Sequence, residues 1–435
     1  MLGVHNRCRE TLPMLSPEFA AASQLITADA VRALLIDLVD IPSPTGQERA
    51  VAHYLVERMT RIGMATDLPL VDADRPNAVG HLRGRGDGLN LLFTGHMDTS
   101  YSGAEAHLSG EGFRPRGVLR DGWIWGLGAN NMKSGLASAL VAIEAIARSG
   151  IELAGDISFG GVVGEIEKTA IEEFQGIEYS GYGVGTRHLV THGVTADFAV
   201  LAEPTGMRVA SANMGCIWVR ISVGGTVAHS AMANRPGVIN AIAVMGELQG
   251  DIARWAADYA ASNVYRGEAA NVTVAAIRGG APWRLSRNPH ECSLYLDIRT
   301  VPGQTVDGVK RQLRQVLAGF ARRTGTPEPA LHVYVSDPPN LVDDSHAVVQ
   351  SLLAAQADVT GERHGTIIRR PGADAVHLTA YGVPCVPFGP GGRLHPDTKG
   401  ASMHAFGEHV LLEDCVATAR IYLAVALDLC SRKAG

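Results

Sequence analysis

The stretch DAVRALLIDLVDIPSPTGQERAVAHYLVERMTRIG, which opens just after Thr27, places its apolar residues three and four apart. That period belongs to amphipathic helices, and Pro42 and Pro44 divide the stretch into two of them. Apolar runs of another kind follow. NLLFTGHMDTS is short and continuous, the pattern of a buried strand, and it ends in polar side chains able to do chemistry. ISFGGVVGEIE and ADFAVLAEPTG repeat the design, each apolar run leading into glutamate. NMKSGLASALVAIEAIARSG fits one long helix, with Gly150 as its C-terminal stop. Three strands that each end in a ligand-type side chain predict an open α/β sheet. Sites in such sheets gather at the carboxyl ends of the strands.

The pattern changes near Cys216. CIWVRISVGGTVAH alternates as a strand, GVINAIAVMGELQGDIARWAADYA is helical, NVTVAAIRGG and CSLYLDIRTVPG are strands, and VDGVKRQLRQVLAGFARR is a helix again. This order, with no ligand-tipped strand, predicts a small α+β module inserted into the larger domain. The expected division is 27–215 for the first part of the main domain, 216–336 for the insert and 337–430 for the second part. A helix at DSHAVVQSLLAAQADVTG and glycine-rich loops at RPGADAVHL and FGPGGRLHP mark the return. From Lys168 to Asp197 runs a segment rich in Gly, Tyr and His, too long for an ordinary connection. It reads either as a surface insertion or as a pocket wall carrying Arg187, His188 and His192.

With 435 residues, two domains are the natural expectation. Apolar residues make up 46% and charged ones 19%, which excludes a disordered chain. A net charge of −6 offers no basic footprint, so neither nucleic acid nor an anionic membrane is expected as a partner. The six cysteines are scattered without a CxxC pair, the usage of reduced thiols in a cytoplasmic protein. No apolar h-region opens the chain and no run of about 18 apolar residues spans a bilayer, so a soluble cytoplasmic location is expected.

Candidate chemistry begins with His96 and Asp98. A neutral imidazole is a good ligand for a divalent metal, and a carboxylate two residues on can orient it. Alone, the pair is as readily a packed core histidine. Glu203 adds an oxygen at the tip of another strand, although a turn carboxylate before proline reads the same way. In order, however, the chain carries GHMDTS, WGLGANNMKSG, VVGEIE, LAEPTG, VGGTVAHSAM, LYLDIRTVPG, PGADAVHL and MHAFGEHV. This series resembles the M20 metallopeptidase family of carboxypeptidases, aminoacylases and succinyl-diaminopimelate desuccinylases, over residues from about 30 to 425.

The resemblance implies a Zn-peptidase-like α/β catalytic domain with an open mixed sheet. It also implies that the inserted module is a ferredoxin-like α+β lid, often used for dimerisation. His96 and Glu203 then hold one metal, and Asp98 orients His96. The residue that bridges two metals in the family is an aspartate; here it is Asn131, whose amide oxygen is neutral. The family's ligand glutamate lies about 35 residues beyond that bridge, which lands on Ile166, so Glu165 keeps the place of the general base. Slipping the register by one would make Glu167 the second-site ligand and leave no base. The second site otherwise keeps only His404. Two dications repel, so losing the bridging charge favours one occupied site. The expected cofactor is therefore one divalent ion per subunit, Mn or Zn.

His229 resembles the lid histidine that stabilises an oxyanion in a partner subunit's site, and Arg299 the arginine that holds a substrate carboxylate. Where the family often has asparagine, the chain has Ser286, flanked by Arg284 and Arg287; these arginines are either solvated or added for an anionic substrate. The reaction implied is hydrolysis of a C–N bond in a small carboxylate-bearing substrate, with water activated at a single metal and Glu165 carrying its proton. In its most specific form this is deamination of an aromatic amine, such as 5-nitroanthranilate, to the hydroxy acid plus ammonia. A two-metal exopeptidase or N-acyl amino acid deacylase, and a ligand-binding homologue without activity, are the other readings. The expected partners are a small acidic substrate and other copies of the chain, as a homodimer or higher homo-oligomer.

Overall fold

Thr27 starts the first long helix: its hydroxyl accepts the Ala30 N–H at 3.1 Å, which caps Ala28–Asp40. Val31, Leu34, Leu35, Leu38 and Val39 form the buried stripe of that helix. The helix ends before Pro42, and the next runs over Arg49–Arg61. The computed structural model describes residues 16–434 except 73, 167–168, 172–173, 176–180 and 399–405. A short helix, Pro17–Ser23, precedes the predicted pair; Ser16 caps it, and proline sits in its first turn.

Six strands form the main sheet, in the order Ala65–Asp67, Ala78–Leu82, Ile157–Val162, Leu91–His96, Phe198–Leu201, Cys385–Pro387. Leu91–His96 pairs in parallel with both Ile157–Val162 and Phe198–Leu201, whereas Ala78–Leu82 pairs antiparallel. The sheet is mixed, and its three central strands are those read as ligand-tipped. Each is buried along its whole length, as parallel strands covered on both faces are. Helix Ser134–Ser149 lies against them, ending at Gly150 in the left-handed conformation. It starts three residues later than its apolar pattern, because Asn131 and Met132 are not helical. Gly135 lets it approach the site strand: a Cβ there would come within 1.9 Å of the Ala202 carbonyl oxygen. Helix Leu412–Leu429 joins the same core.

A separate antiparallel sheet has the order Asn271–Gly279, Glu291–Thr300, Gly215–Gly224, Ala330–Asp337. Ile217, Val219, Ile221 and Val223 alternate into a second core with residues of helices Ala241–Ser262 and Val306–Thr324. Trp218, Tyr295, Asp297 and Arg299 lie on the opposite face. The chain therefore has the α/β catalytic sheet and the smaller α+β layer read from its pattern. The segment between Lys168 and Asp197 contains a helix, Val184–Thr191, that the pattern did not show. Among the described residues no single helix is long and apolar enough to cross a membrane. The described cysteines are all buried, and Cys8 lies outside the described residues.

Candidate metal centre

Strand Leu91–His96 ends on a histidine with no exposed surface on its side chain. Its Nδ1 lies 2.9 Å from the Asp98 carbonyl oxygen and 3.4 Å from Asp98 Oδ1. Its Nε2 faces Asn131 Oδ1 at 3.2 Å, Glu165 Oε2 at 3.8 Å and Glu203 Oε1 at 4.0 Å. Both ring nitrogens thus look at oxygen, and a neutral imidazole has only one proton to offer. Burial alone would push the imidazole down, but Asp98, Glu165 and Glu203 outweigh it and raise its pKa to about 10. A cation at Nε2 suits this geometry, either a second proton or a metal ion in its place. Ligand atoms of His96, Glu165 and Glu203 all lie within 4.8 Å of one another, so the group fits a divalent ion.

Two buried carboxylates hold the segment that carries Glu165. Asp98 accepts the N–H groups of Glu165 at 3.1 Å and Ile166 at 2.9 Å, and the Thr45 hydroxyl at 2.7 Å. Burial opposes ionisation of Asp98, yet His96 and these donors hold its carboxyl well below the usual range. Glu48 accepts the Gly164 N–H at 3.2 Å, while Arg75 grips both of its oxygens at 2.7 and 3.0 Å. Such paired, hydrogen-bonded charges are the form in which buried ions are tolerated.

Asn131 is fixed from its backbone. Glu408 accepts the N–H groups of Asn131 at 2.9 Å and Asn130 at 3.2 Å; burial pushes the Glu408 carboxyl up. Next along the chain, buried Lys133 donates to the carbonyls of Leu38 and Ile41, both at 2.8 Å, and so satisfies the end of helix Ala28–Asp40. Arg369 donates to Glu203 Oε2 at 2.8 Å. That leaves Oε1 as the oxygen of Glu203 that faces His96.

The residues singled out from sequence do not all meet. His96, Asp98, Asn131, Glu165 and Glu203 converge. Arg299 is gripped by Asp297 at 2.7 and 2.8 Å and lies close enough to Glu165 for their charges to interact. His229, Arg284 and Arg287 are exposed on the small domain. There His229 Nδ1 accepts the Ala231 N–H at 3.2 Å, and a backbone bridge joins it to Arg287. Glu167 and His404 lie outside the described residues. His188 and His192 stack at 3.7 Å, and Arg187 lies 4.8 Å over the Tyr182 ring.

A cavity of about 540 Å³ does have a wall from the 168–197 segment, but through Ile171, Phe174 and Gln175. Glu48, Arg75, Arg369, Glu408 and Lys133 were not anticipated. Glu408 and Lys133 sit inside motifs already recognised, which was the available signal; Glu48 and Arg75 carried none.

Residues 92–428 match the profile described as peptidase family M20/M25/M40. The chain is 25% identical over 431 residues to an N-formyl-4-amino-5-aminomethyl-2-methylpyrimidine deformylase of Bacillus subtilis, covering 90% of this chain and 91% of that protein. It is 28% identical over 403 residues to a succinyl-diaminopimelate desuccinylase of Gluconacetobacter diazotrophicus, covering 89% and 94%. Among solved structures, a tripeptidase of Staphylococcus aureus superposes with a TM-score of 0.72 at 19% identity, over 94% of this chain and all (100%) of that one. Human carnosine dipeptidase 1 gives 0.72 at 14% identity, covering 95% and 99%.

Proposed function

The chain belongs to peptidase family M20/M25/M40, metal-dependent hydrolases of C–N bonds, and we propose that it is a single-metal member acting on a small carboxylate-bearing substrate. The observation that carries this reading is Asn131. A neutral amide oxygen stands 3.2 Å from His96 Nε2 at the place of the family's bridging aspartate, while Arg369 engages the outer oxygen of Glu203. With the bridging charge absent and a guanidinium at its edge, the pocket has the charge to hold one dication rather than two.

Of the cluster, His96 and Glu203 Oε1 would hold the ion together with the Asn131 carbonyl, which leaves Glu165 for proton transfer, and Asp98 fixes the imidazole from Nδ1. When bound, a divalent ion lowers the pKa of a neighbouring water and polarises the scissile group. Glu165, buried and held through its own N–H by Asp98, is placed to take the proton of that water and return it to the departing nitrogen. Arg299, its Nε edge fixed by Asp297, supports a substrate carboxylate. His229 serves as oxyanion donor only across a pair of chains, which fits its exposed place here.

The deformylase and desuccinylase relatives support an amide as the bond cleaved, a small acyl group leaving a nitrogen. A second reading, hydrolytic removal of a ring amine as from 5-nitroanthranilate, is favoured by the aromatic lining of a cavity that Asp297, the partner of Arg299, also lines. Elemental analysis of the protein purified with Mn²⁺ or Zn²⁺ tests the metal count, alongside amine and ammonia release from N-formyl, N-succinyl and nitroanthranilate substrates. One ion per chain with turnover supports the reading. Two ions per chain would overturn its single-metal core.

A further inference from the structure

The chain enters the small sheet at Gly215 and leaves it at Asp337, and the two crossings run side by side. Cys216 pairs with Asp337 on one side of this joint, and Asn213 pairs with Asn340 on the other. The packing is tight: a Cβ on Gly215 would come within 2.4 Å of the Asp337 carbonyl oxygen and the Thr300 hydroxyl. Strand Ile367–Arg369 runs parallel to Ala210–Asn213 and ends at the same place. Arg369 accepts the Met214 N–H at 2.9 Å through its backbone carbonyl. Its guanidinium reaches the metal group. Nη2 donates to Glu203 Oε2 at 2.8 Å, and Nη1 donates to the carbonyls of Pro371 and Gly372 at 3.3 and 3.1 Å. Both side chains are buried. One residue therefore touches the joint with its backbone and a candidate ligand carboxylate with its side chain.

A carboxylate can ligate a metal through one oxygen or through both. The charge-assisted bond from Arg369 engages Oε2, which leaves Oε1 to face His96 Nε2 at 4.0 Å. The Pro371 and Gly372 carbonyls hold the guanidinium in turn, so it cannot swing away from Oε2 without stranding buried hydrogen-bonding groups. Displacement of the joint would carry Met214 and Arg369 with it and re-aim Glu203. We propose that Arg369 is a positioning residue that limits Glu203 to one metal-facing oxygen and keys its aim to the joint of the small sheet. The inference rests on the reading of Glu203 as a metal ligand and adds what controls that ligand.

The test loads the full-length protein with Co²⁺, whose visible absorption weakens as its coordination number rises. Arg369→Met frees Oε2 to join the ion, so the band should weaken and kcat should fall roughly 10- to 100-fold with KM little changed. Arg369→Lys returns a charge to Oε2 and should recover part of both; it also carries the test if the methionine variant does not fold. Gly215→Ala lies outside the site and wedges the joint. It should shift the band in the native background and leave it unmoved in Arg369→Met. A native band and native kcat in every Arg369 variant that folds overturn the positioning role. No shift from Gly215→Ala, or the same shift with and without Arg369, overturns the link to the joint. Glu203→Gln separates the premise. Weaker Co²⁺ binding there, beside unaltered Arg369 variants, sinks this inference alone, whereas unchanged Co²⁺ binding sinks the ligand reading of Glu203.

Discussion

Loading the site with Mn²⁺ or Zn²⁺ at pH 7.5 should release about one proton per ion. Both nitrogens of His96 face oxygens, and Asp98, Glu165 and Glu203 hold its pKa near 10 against a usual 6.5. At pH 7.5 the imidazole of the metal-free protein is therefore almost wholly protonated, and an ion must displace the Nε2 proton to bind. Two and a half pH units of displacement correspond to about 3 kcal/mol, so apparent affinity at pH 7.5 is roughly 300-fold below its alkaline limit. It should rise about tenfold per pH unit up to the histidine pKa.

The sign for stability runs the other way. The raised pKa stabilises the metal-free fold fully below about 6.5, and that contribution is lost as pH rises through about 10. Titration calorimetry at one pH in two buffers of different ionisation enthalpy reads the proton count directly. Asp98→Asn removes the strongest attraction on the imidazolium and should reduce the count measured at pH 7.5. A binding enthalpy independent of buffer, with an affinity flat between pH 6.5 and 8.5, would refute the reasoning, because His96 would then be neutral in its cage of oxygens.

Glu165→Gln should lower kcat by roughly 100- to 10,000-fold while elemental analysis still finds the metal, since the amide keeps the shape but cannot accept a proton. Arg75→Met should cost about 3–5 kcal/mol in urea denaturation, because Glu48 and Arg75 are both almost fully buried and the change strands one charge. The paired change Glu48→Gln with Arg75→Met should recover much of that loss, and a double-mutant cycle measures how much. Asn131→Asp together with Ile166→Glu restores two anions and should raise metal content from one ion per chain towards two. A count that stays at one would mean that Ile166 does not occupy the second ligand's place.

Much of the site could be read along the chain because its parts are local. His96 and Asp98 are two residues apart, and Glu165 and Glu203 follow apolar strands whose parallel pairing with Leu91–His96 brings their ends together. The two predicted helices, the long helix ending at Gly150 and the strand-helix order of the insert up to helix Val306–Thr324 likewise followed from period and punctuation, whereas strand Ala330–Asp337 was not read. The helix Val184–Thr191 did not, since it is only 8 residues long and lies in a glycine-rich setting.

Sequence alone determined that His96, Glu165 and Glu203 follow apolar strands and that an amide, Asn131, stands before the long helix; no folding changes the charge of an amide. Tertiary structure alone decided which partners surround them. Glu203 meets Arg369 across 166 positions, Asn131 meets Glu408 across 277, and Glu48 reaches Gly164 across 116. The aromatic cavity joins four strands of the small sheet to the segment that carries Phe174. Periodicity reports whether a residue points inward, because burial of apolar surface has no direction. Hydrogen bonds and ion pairs act over about 3 Å between named atoms, so their partners exist only once packing has brought distant segments to that distance.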